Sequence, residues 1–409
     1  MRFGMPPERA LDRRSPFVVT RTLMLLAFLA ALGASETLAT KALAQADSLG
    51  AIKNQFGIKA DRNQISISGL SSGGWLAVQY HIAHSHQITG IGIVAGGPYH
   101  CAGSASFTCR YTPYALLPYD SCQAIYVCSR TAAKANLWGF YIGPPDYRQS
   151  VASARQEAER GTVDSLSGLK DDRVWIFTGG QEERFPHDTL VPHDVASELE
   201  KFYDALFALP EVGNPPENIE MVDSIQVEHA MVTDSPGPDA CDRFGPPYID
   251  DCSYPLAERL LEFIYPERVQ ASESSATGAL VAFDQRFVSG DPRSSMNDRG
   301  HLYIPATCRN GAECPLHIAL HGCDQDEQSV DQLSESSRLY FFRDGGYNEW
   351  AERHGVIILY PQAAKTSENP YGCWDWWGYS GADYYLKDGK QISAINAIVE
   401  CLTGDGPCP

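Results

Sequence analysis

Basic side chains are scarce in this sequence: 32 Lys+Arg stand against 51 Asp+Glu over 409 residues. A body of that sign repels polyanions, which argues against nucleic acid as a partner and disfavours attachment to anionic lipid. No Cys-x-x-Cys occurs among the 12 cysteines, and their spacings do not suit a zinc site. The chain also lacks a collagen-like repeat, a low-complexity block and an internal repeat. No run beyond residue 44 is long and apolar enough to cross a bilayer, so no membrane association is expected. What remains is ordinary globular composition, 44% hydrophobic and 20% charged, sufficient for one large domain or two small ones.

The N-terminus reads as a leader. Arg13, Arg14 and Arg21 precede a twelve-residue apolar run from Leu23 to Ala34, and small residues follow as far as Ala42-Leu43-Ala44. A basic stretch, a short apolar stretch and an Ala-x-Ala site is the layout of a secretory signal peptide. Twelve residues are too few for a spanning helix, which needs about 20. The expected organisation is therefore a signal peptide over 1–44, with Ser35 as the rival cut, and a single catalytic domain over 45–409. The leader holds six of the basic and three of the acidic side chains, so the remainder carries a net charge of −22. A secreted protein, extracellular or periplasmic and monomeric, is expected.

All 12 cysteines lie between Cys101 and Cys408, and an even count in an exported chain reads as a disulfide set. Proximity suggests Cys101/Cys109, Cys122/Cys128, Cys241/Cys252, Cys308/Cys314 and Cys401/Cys408. That leaves Cys323 and Cys373 for a long-range bridge.

Periodicity supplies the elements. Residues 64–68, 90–95, 173–177, 316–320 and 356–360 read as strands, and Ile225 and Val227 alternate in another that reaches His229. Residues 75–83, 195–209, 256–264 and 392–402 read as helices. Strands alternating with helices predict an α/β fold with a mainly parallel sheet covered on both faces. The weakest point of the chain, 269–278, is the best linker candidate.

Gly69-Leu70-Ser71-Ser72-Gly73 matches the nucleophile elbow of the α/β-hydrolases: it follows a predicted strand and opens a predicted helix. A serine hydroxyl is a weak nucleophile unless a base reaches it, so Ser71 must stand exposed on a tight turn. Glycines on both flanks let the backbone make that turn. His229 is the expected base, since a histidine at the end of a strand can lean over the sheet edge to the serine; His100, His187 and His193 are rivals. The acid should follow the strand at 173–177, with Asp188 the first choice and Glu182 and Glu183 as alternatives. The Ser72 amide is the expected first oxyanion donor. The second should come from Leu320-His321-Gly322-Cys323. That loop comes after the histidine, whereas in the usual hydrolase order it precedes the elbow. The order suggests a circular permutation with its junction near 269–278.

These motifs resemble the extracellular poly(3-hydroxybutyrate) depolymerases whose catalytic domain is circularly permuted. The resemblance runs from about Asp61 to Leu402. It rests on the elbow, Asp188-Thr189-Leu190-Val191-Pro192 and His229-Ala230-Met231. It continues through Pro247-Tyr248-Ile249-Asp250-Asp251-Cys252, His321-Gly322-Cys323-Asp324-Gln325 and Cys373-Trp374-Asp375-Trp376-Trp377-Gly378-Tyr379. It implies Ser71, Asp188 and His229 as a catalytic triad and the amides of Ser72 and Cys323 as oxyanion donors. It also implies a Cys323–Cys373 bridge, Trp374 beside the bound ester, and a polyester or oligoester substrate. Trp376 and Trp377 are expected to be packing. The stretch between Phe177 and Asp188 is a few residues longer than the family pattern. No metal or organic cofactor is required. The sequence shows no Thr-rich linker and no further domain after Leu402, so short or partly soluble esters, including feruloyl or acetyl esters, stand beside the polymer as substrates. A catalytically silent binding module is the reading from another class.

Overall fold

The computed structural model describes residues 46–103, 122–129, 144–179, 191–235, 241–268 and 277–409. The leader, the proposed permutation junction up to residue 276, and Glu182, Glu183, His187 and Asp188 lie outside the described residues.

In chain order the principal elements begin with β1 (Asp47–Ser48), α1 (Leu49–Phe56), β2 (Lys59–Leu70), α2 (Ser72–Ala83), β3 (Ile88–Val94) and α3 (Tyr147–Arg160). β4 (Arg173–Phe177), α4 (His193–Phe207), β5 (Ile219–Val222), β6 (Met231–Thr233), β7 (Ile249–Asp251) and α5 (Leu256–Ile264) follow. The remainder is β8 (Ala279–Asp284), β9 (Arg299–Ile304), β10 (Glu313–Leu320), α6 (Tyr347–His354), β11 (Ile357–Tyr360) and α7 (Lys390–Thr403). Among the described residues one large sheet has the order β1-β8-β9-β11-β10-β2-β3-β4-β5, and β6 pairs with β7 apart from it. Neighbours run parallel except where β9 meets β8 and β11. β2 lies in the sheet interior, between β10 and β3.

Both faces of this sheet are buried, and the period-2 alternation of its strands divides them. On β4, Val174 and Ile176 join one core with Ile65, Ile67, Ile91 and Ile318, covered by α1–α4 and α7. Trp175 and Phe177 point the other way, into a core with Ala319, Ile358, Tyr360 and the apolar sides of α5 and α6. Helix α5 shows the cause at residue level. Leu256, Leu260, Leu261 and Ile264 recur at helical spacing and are all buried. Each such side chain contributes about 1.5–3 kcal/mol of transfer free energy.

The alternation at Ile225 and Val227 does not form a strand: residues 223–230 are irregular, between β5 and β6. Val227 is buried by loop packing, with the Glu228 N–H donating to the Cys241 carbonyl at 3.2 Å instead of to a sheet neighbour. Two of the pairs expected from proximity, Cys101/Cys109 and Cys122/Cys128, do not form. Cys101 is bridged to Cys128, 27 residues away, and not to Cys109; Cys122 is also disulfide-bonded. Cys101 ends up beside Cys128 because both are buried in the core formed with Trp75 and Val127, so packing overrides chain distance. The other bridges are Cys241–Cys252, Cys308–Cys314, Cys323–Cys373 and Cys401–Cys408.

Candidate active site

Strand β2 delivers Ser71 to the C-terminal edge of the sheet. Its backbone has φ 55° and ψ −119°, a conformation that costs an ordinary L-residue of order 1–3 kcal/mol. The surroundings hold it there. The Ser71 N–H donates to the Val94 carbonyl at the end of β3 (2.8 Å), and the Ser71 carbonyl accepts from Trp75 N–H (2.9 Å) as α2 begins. The flanking glycines are obligatory at this turn. A Cβ on Gly69 would lie 2.2 Å from the Gly73 carbonyl carbon, and one on Gly73 would lie 2.5 Å from the carbonyl oxygens of both Leu320 and His321. Glycine at 73 is therefore what lets the elbow sit directly against the loop that leaves β10.

Ser71 and His229 line one cavity of about 310 Å³, together with Gly322, Cys323, Gln325, Tyr248, Trp75 and Trp376. His229 is the one histidine on this wall among the described residues. His193 is engaged elsewhere, with its Nε2 2.9 Å from Asp223. His100 is half-buried, stacked on Tyr385 and hydrogen-bonded through Nδ1 to the Ser153 hydroxyl (2.7 Å).

Ser72 follows Ser71 directly in the chain, and Cys323 lines the same cavity as Ser71. Ser72 is the first residue of α2, where N–H groups have no partner within the helix. Among the described residues neither amide has an acceptor. An oxyanion formed at a serine requires donors of this kind. The Cys323–Cys373 bridge ties the loop after β10 to the segment carrying Trp374 and Trp376.

Of the clustered tryptophans it is Trp376, and not Trp374, that lines the cavity. Trp374 is fully buried and does not line the cavity: its ring lies 5.2 Å from that of His321, and its backbone N–H donates to the Ser72 hydroxyl (3.2 Å). Trp376, two residues on and half-buried, faces the cavity and stacks on Trp75 at 4.7 Å with 16° between the rings. Asp375 fixes this arrangement. Its buried carboxylate accepts from the N–H groups of Trp377, Gly378, Tyr379 and Ser380, curling the chain so that alternate tryptophans face opposite ways. Burial raises the Asp375 pKa while those N–H groups hold it down. Trp75, Phe244 and Tyr371 are wall residues that sequence reasoning passes over. Tyr371 is 61% exposed and Phe244 39%, and both are apolar surface at the cavity. The spacing of Trp75, one helical turn past Ser71, was a usable signal. Tyr371 and Phe244 lie in loops with no periodicity to betray them.

Comparison with known proteins agrees with this geometry. Residues 300–407 match the family model described as "Esterase PHB depolymerase". A poly(3-hydroxybutyrate) depolymerase of Delftia acidovorans is 34% identical over 371 residues, 88% of this chain and 64% of that protein; the chain thus spans under two thirds of that relative's length. A polyhydroxybutyrate depolymerase of Talaromyces funiculosus is 31% identical over 388 residues, covering 90% of this chain and 94% of that one. Among solved structures, a serine-to-alanine variant of a PHB depolymerase complexed with an R3HB trimer superposes with a TM-score of 0.66 at 28% identity. It covers 86% of this chain and 98% of that one. The crystal structure of PHB depolymerase from Penicillium funiculosum gives a TM-score of 0.65 at the same identity and coverage. A relative matched over nearly its whole length and two solved folds matched almost completely lead to one conclusion: the chain is an α/β-hydrolase of the esterase PHB depolymerase family.

Proposed function

We propose that this chain is an exported, monomeric serine esterase that hydrolyses poly(3-hydroxybutyrate) or its oligomers through an acyl-enzyme on Ser71. The observation that carries the reading is the single cavity lined by Ser71, His229 and Cys323. His229 takes the proton of the Ser71 hydroxyl as its oxygen attacks the ester carbonyl. The oxyanion is held by the N–H groups of Ser72 and Cys323, and loss of one such donor typically costs about 10²–10³ in rate. The alcohol leaves with the proton from His229, and water repeats the cycle to release the acid. Asp188 takes the role of orienting His229 and stabilising its cationic form; Glu182 and Glu183 are the alternatives. Trp376 and Trp75 would grip the acyl chain with their ring faces. The relatives' names and the R3HB trimer held by a solved neighbour support the polyester as substrate.

We also read the fold as circularly permuted. In support, the strands from β8 to β11 lie beside β2 on the side away from β3, yet follow β2–β5 in the chain.

The test is release of 3-hydroxybutyrate from a turbid polymer suspension by wild type and by Ser71→Ala. Clearing by wild type alone is expected. A wild type that cleaves p-nitrophenyl butyrate but leaves the suspension turbid would shift the substrate to feruloyl- or acetyl-type esters.

A further inference from the structure

His229, the base in the scheme above, sits in an irregular segment outside the large sheet that delivers Ser71. Its chain neighbours are held by a later part of the same segment. The Glu228 N–H donates to the Cys241 carbonyl (3.2 Å), and the Met231 N–H donates to the Tyr248 carbonyl (2.8 Å). β6 pairs with β7 apart from the large sheet, and the Cys252 N–H donates to the Thr233 carbonyl (3.0 Å). The Cys241–Cys252 disulfide closes this unit. The backbone ladder that sets β10 against β2 therefore does not set the base against the nucleophile. Val227, Met231, Val232 and Ile249 do pack into the core shared with α5, but apolar burial is non-directional and leaves the register of the unit to polar contacts.

Gln325 supplies such a contact. It lies in the loop that leaves β10 and is 2% exposed. The Gly322 N–H can only donate, so the atom it meets at 2.7 Å is Oε1. Nε2 meets the carbonyls of Pro247 (3.1 Å) and Tyr248 (3.0 Å), which can only accept. The partners thus fix the orientation of the amide, and both of its ends are engaged. The Tyr248 carbonyl is the same one that accepts from the Met231 N–H, two residues beyond His229. A short chain of hydrogen bonds therefore runs from Gly322 through Gln325 and Tyr248 to Met231. Gly322, Gln325, Tyr248 and His229 all line the cavity.

We infer that Gln325 is a positioning residue: its side-chain amide ties the unit that carries His229 to the body of the fold that carries Ser71, and so sets where the base stands over the nucleophile. The inference rests on the esterase reading and adds to it what holds the base in register.

The experiment starts from Gln325→Met, which keeps the length of the side chain and removes its polar contacts. Hydrolysis of p-nitrophenyl butyrate is recorded as kcat and KM, with a melting temperature. A misplacement near 1 Å costs about 10²-fold in rate, so kcat should fall by about that factor while KM changes little. The substitution is then repeated in His229→Ala, and the rate of fluorophosphonate labelling is read in all four proteins. Residues that act through one another are non-additive. Gln325→Met should slow labelling about 10²-fold when His229 is present and less than about threefold when it is absent. Wild-type kcat in Gln325→Met would overturn the inference. Equal slowing in both backgrounds would overturn it too, since Gln325 would then act without the base. Should Gln325→Met not fold, Gln325→Asn takes its place: one methylene shorter, its amide cannot span Gly322 and Tyr248, and the same pattern is expected. A wild type inert to both ester and phosphonate sinks the esterase reading, and the Gln325 role with it. An active wild type with additive variants sinks the Gln325 role alone.

Discussion

Gly73→Ala should separate the elbow from the oxyanion loop. The new methyl would stand 2.5 Å from the carbonyl oxygens of Leu320 and His321 and 2.8 Å from the Leu320 carbonyl carbon, all of them backbone atoms. Ordinary contact begins at 3.4 Å, so the first turn of α2 and the end of β10 must move apart by roughly 1 Å. Neither side yields easily: β2 and β10 are paired in register up to Gly69 and Leu320, and Cys323 is bridged to Cys373. Overpacking of this kind costs about 1–3 kcal/mol of stability. A misplacement near 1 Å in a catalytic constellation costs about 10²-fold in rate, equivalent to about 2.7 kcal/mol of transition-state stabilisation. The assay is hydrolysis of a soluble p-nitrophenyl ester alongside a thermal melt. Gly290→Ala serves as control, because a Cβ there meets nothing within 4 Å. Wild-type kcat in Gly73→Ala would refute the placement of the loop against the elbow.

Trp376→Ala should raise KM for oligomeric esters with little change in melting temperature, because the ring is half-buried on the cavity wall. Trp374→Ala should instead lower stability by about 3–5 kcal/mol, the usual cost of deleting a fully buried large aromatic; steady-state kinetics and denaturant melts separate the two. Stability should also fall in acid. Burial pushes the pKa of His317 down to about 3, between the Ser66 and Ser68 hydroxyls. The unfolded chain therefore binds more protons than the folded one between pH ~6.5 and ~3, and unfolding free energy rises with pH across that window. This group contributes in full above pH ~6.5 and is lost at about 1.4 kcal/mol per pH unit as pH falls towards 3. Denaturant melts of wild type and His317→Gln over that range should differ in slope, and parallel slopes would show that the ring is not held neutral.

The parts of this protein legible in the sequence are those governed by periodicity or by a demanding turn. The strand at 173–177 and the helix at 256–264 coincide with β4 and α5 because each places its apolar residues on one face at the spacing of its own geometry. The elbow was legible because only glycine fits on both sides of Ser71. Features fixed by tertiary packing were not. Residues 225–227 alternate like a strand but are buried in a loop. Cys101 finds Cys128 through a shared core. Trp374 and Trp376 are two residues apart, and which of them meets the cavity is decided by the turn on Asp375, a carboxylate whose four backbone contacts leave no mark on composition or spacing.

The most direct test of the account is covalent labelling of the wild type with a fluorophosphonate, read by mass spectrometry of its peptides. The account predicts one adduct, on the peptide containing Ser71, absent from Ser71→Ala and formed far more slowly in His229→Ala. Labelling on another serine, or labelling of Ser71 at an unchanged rate without the His229 ring, would contradict it.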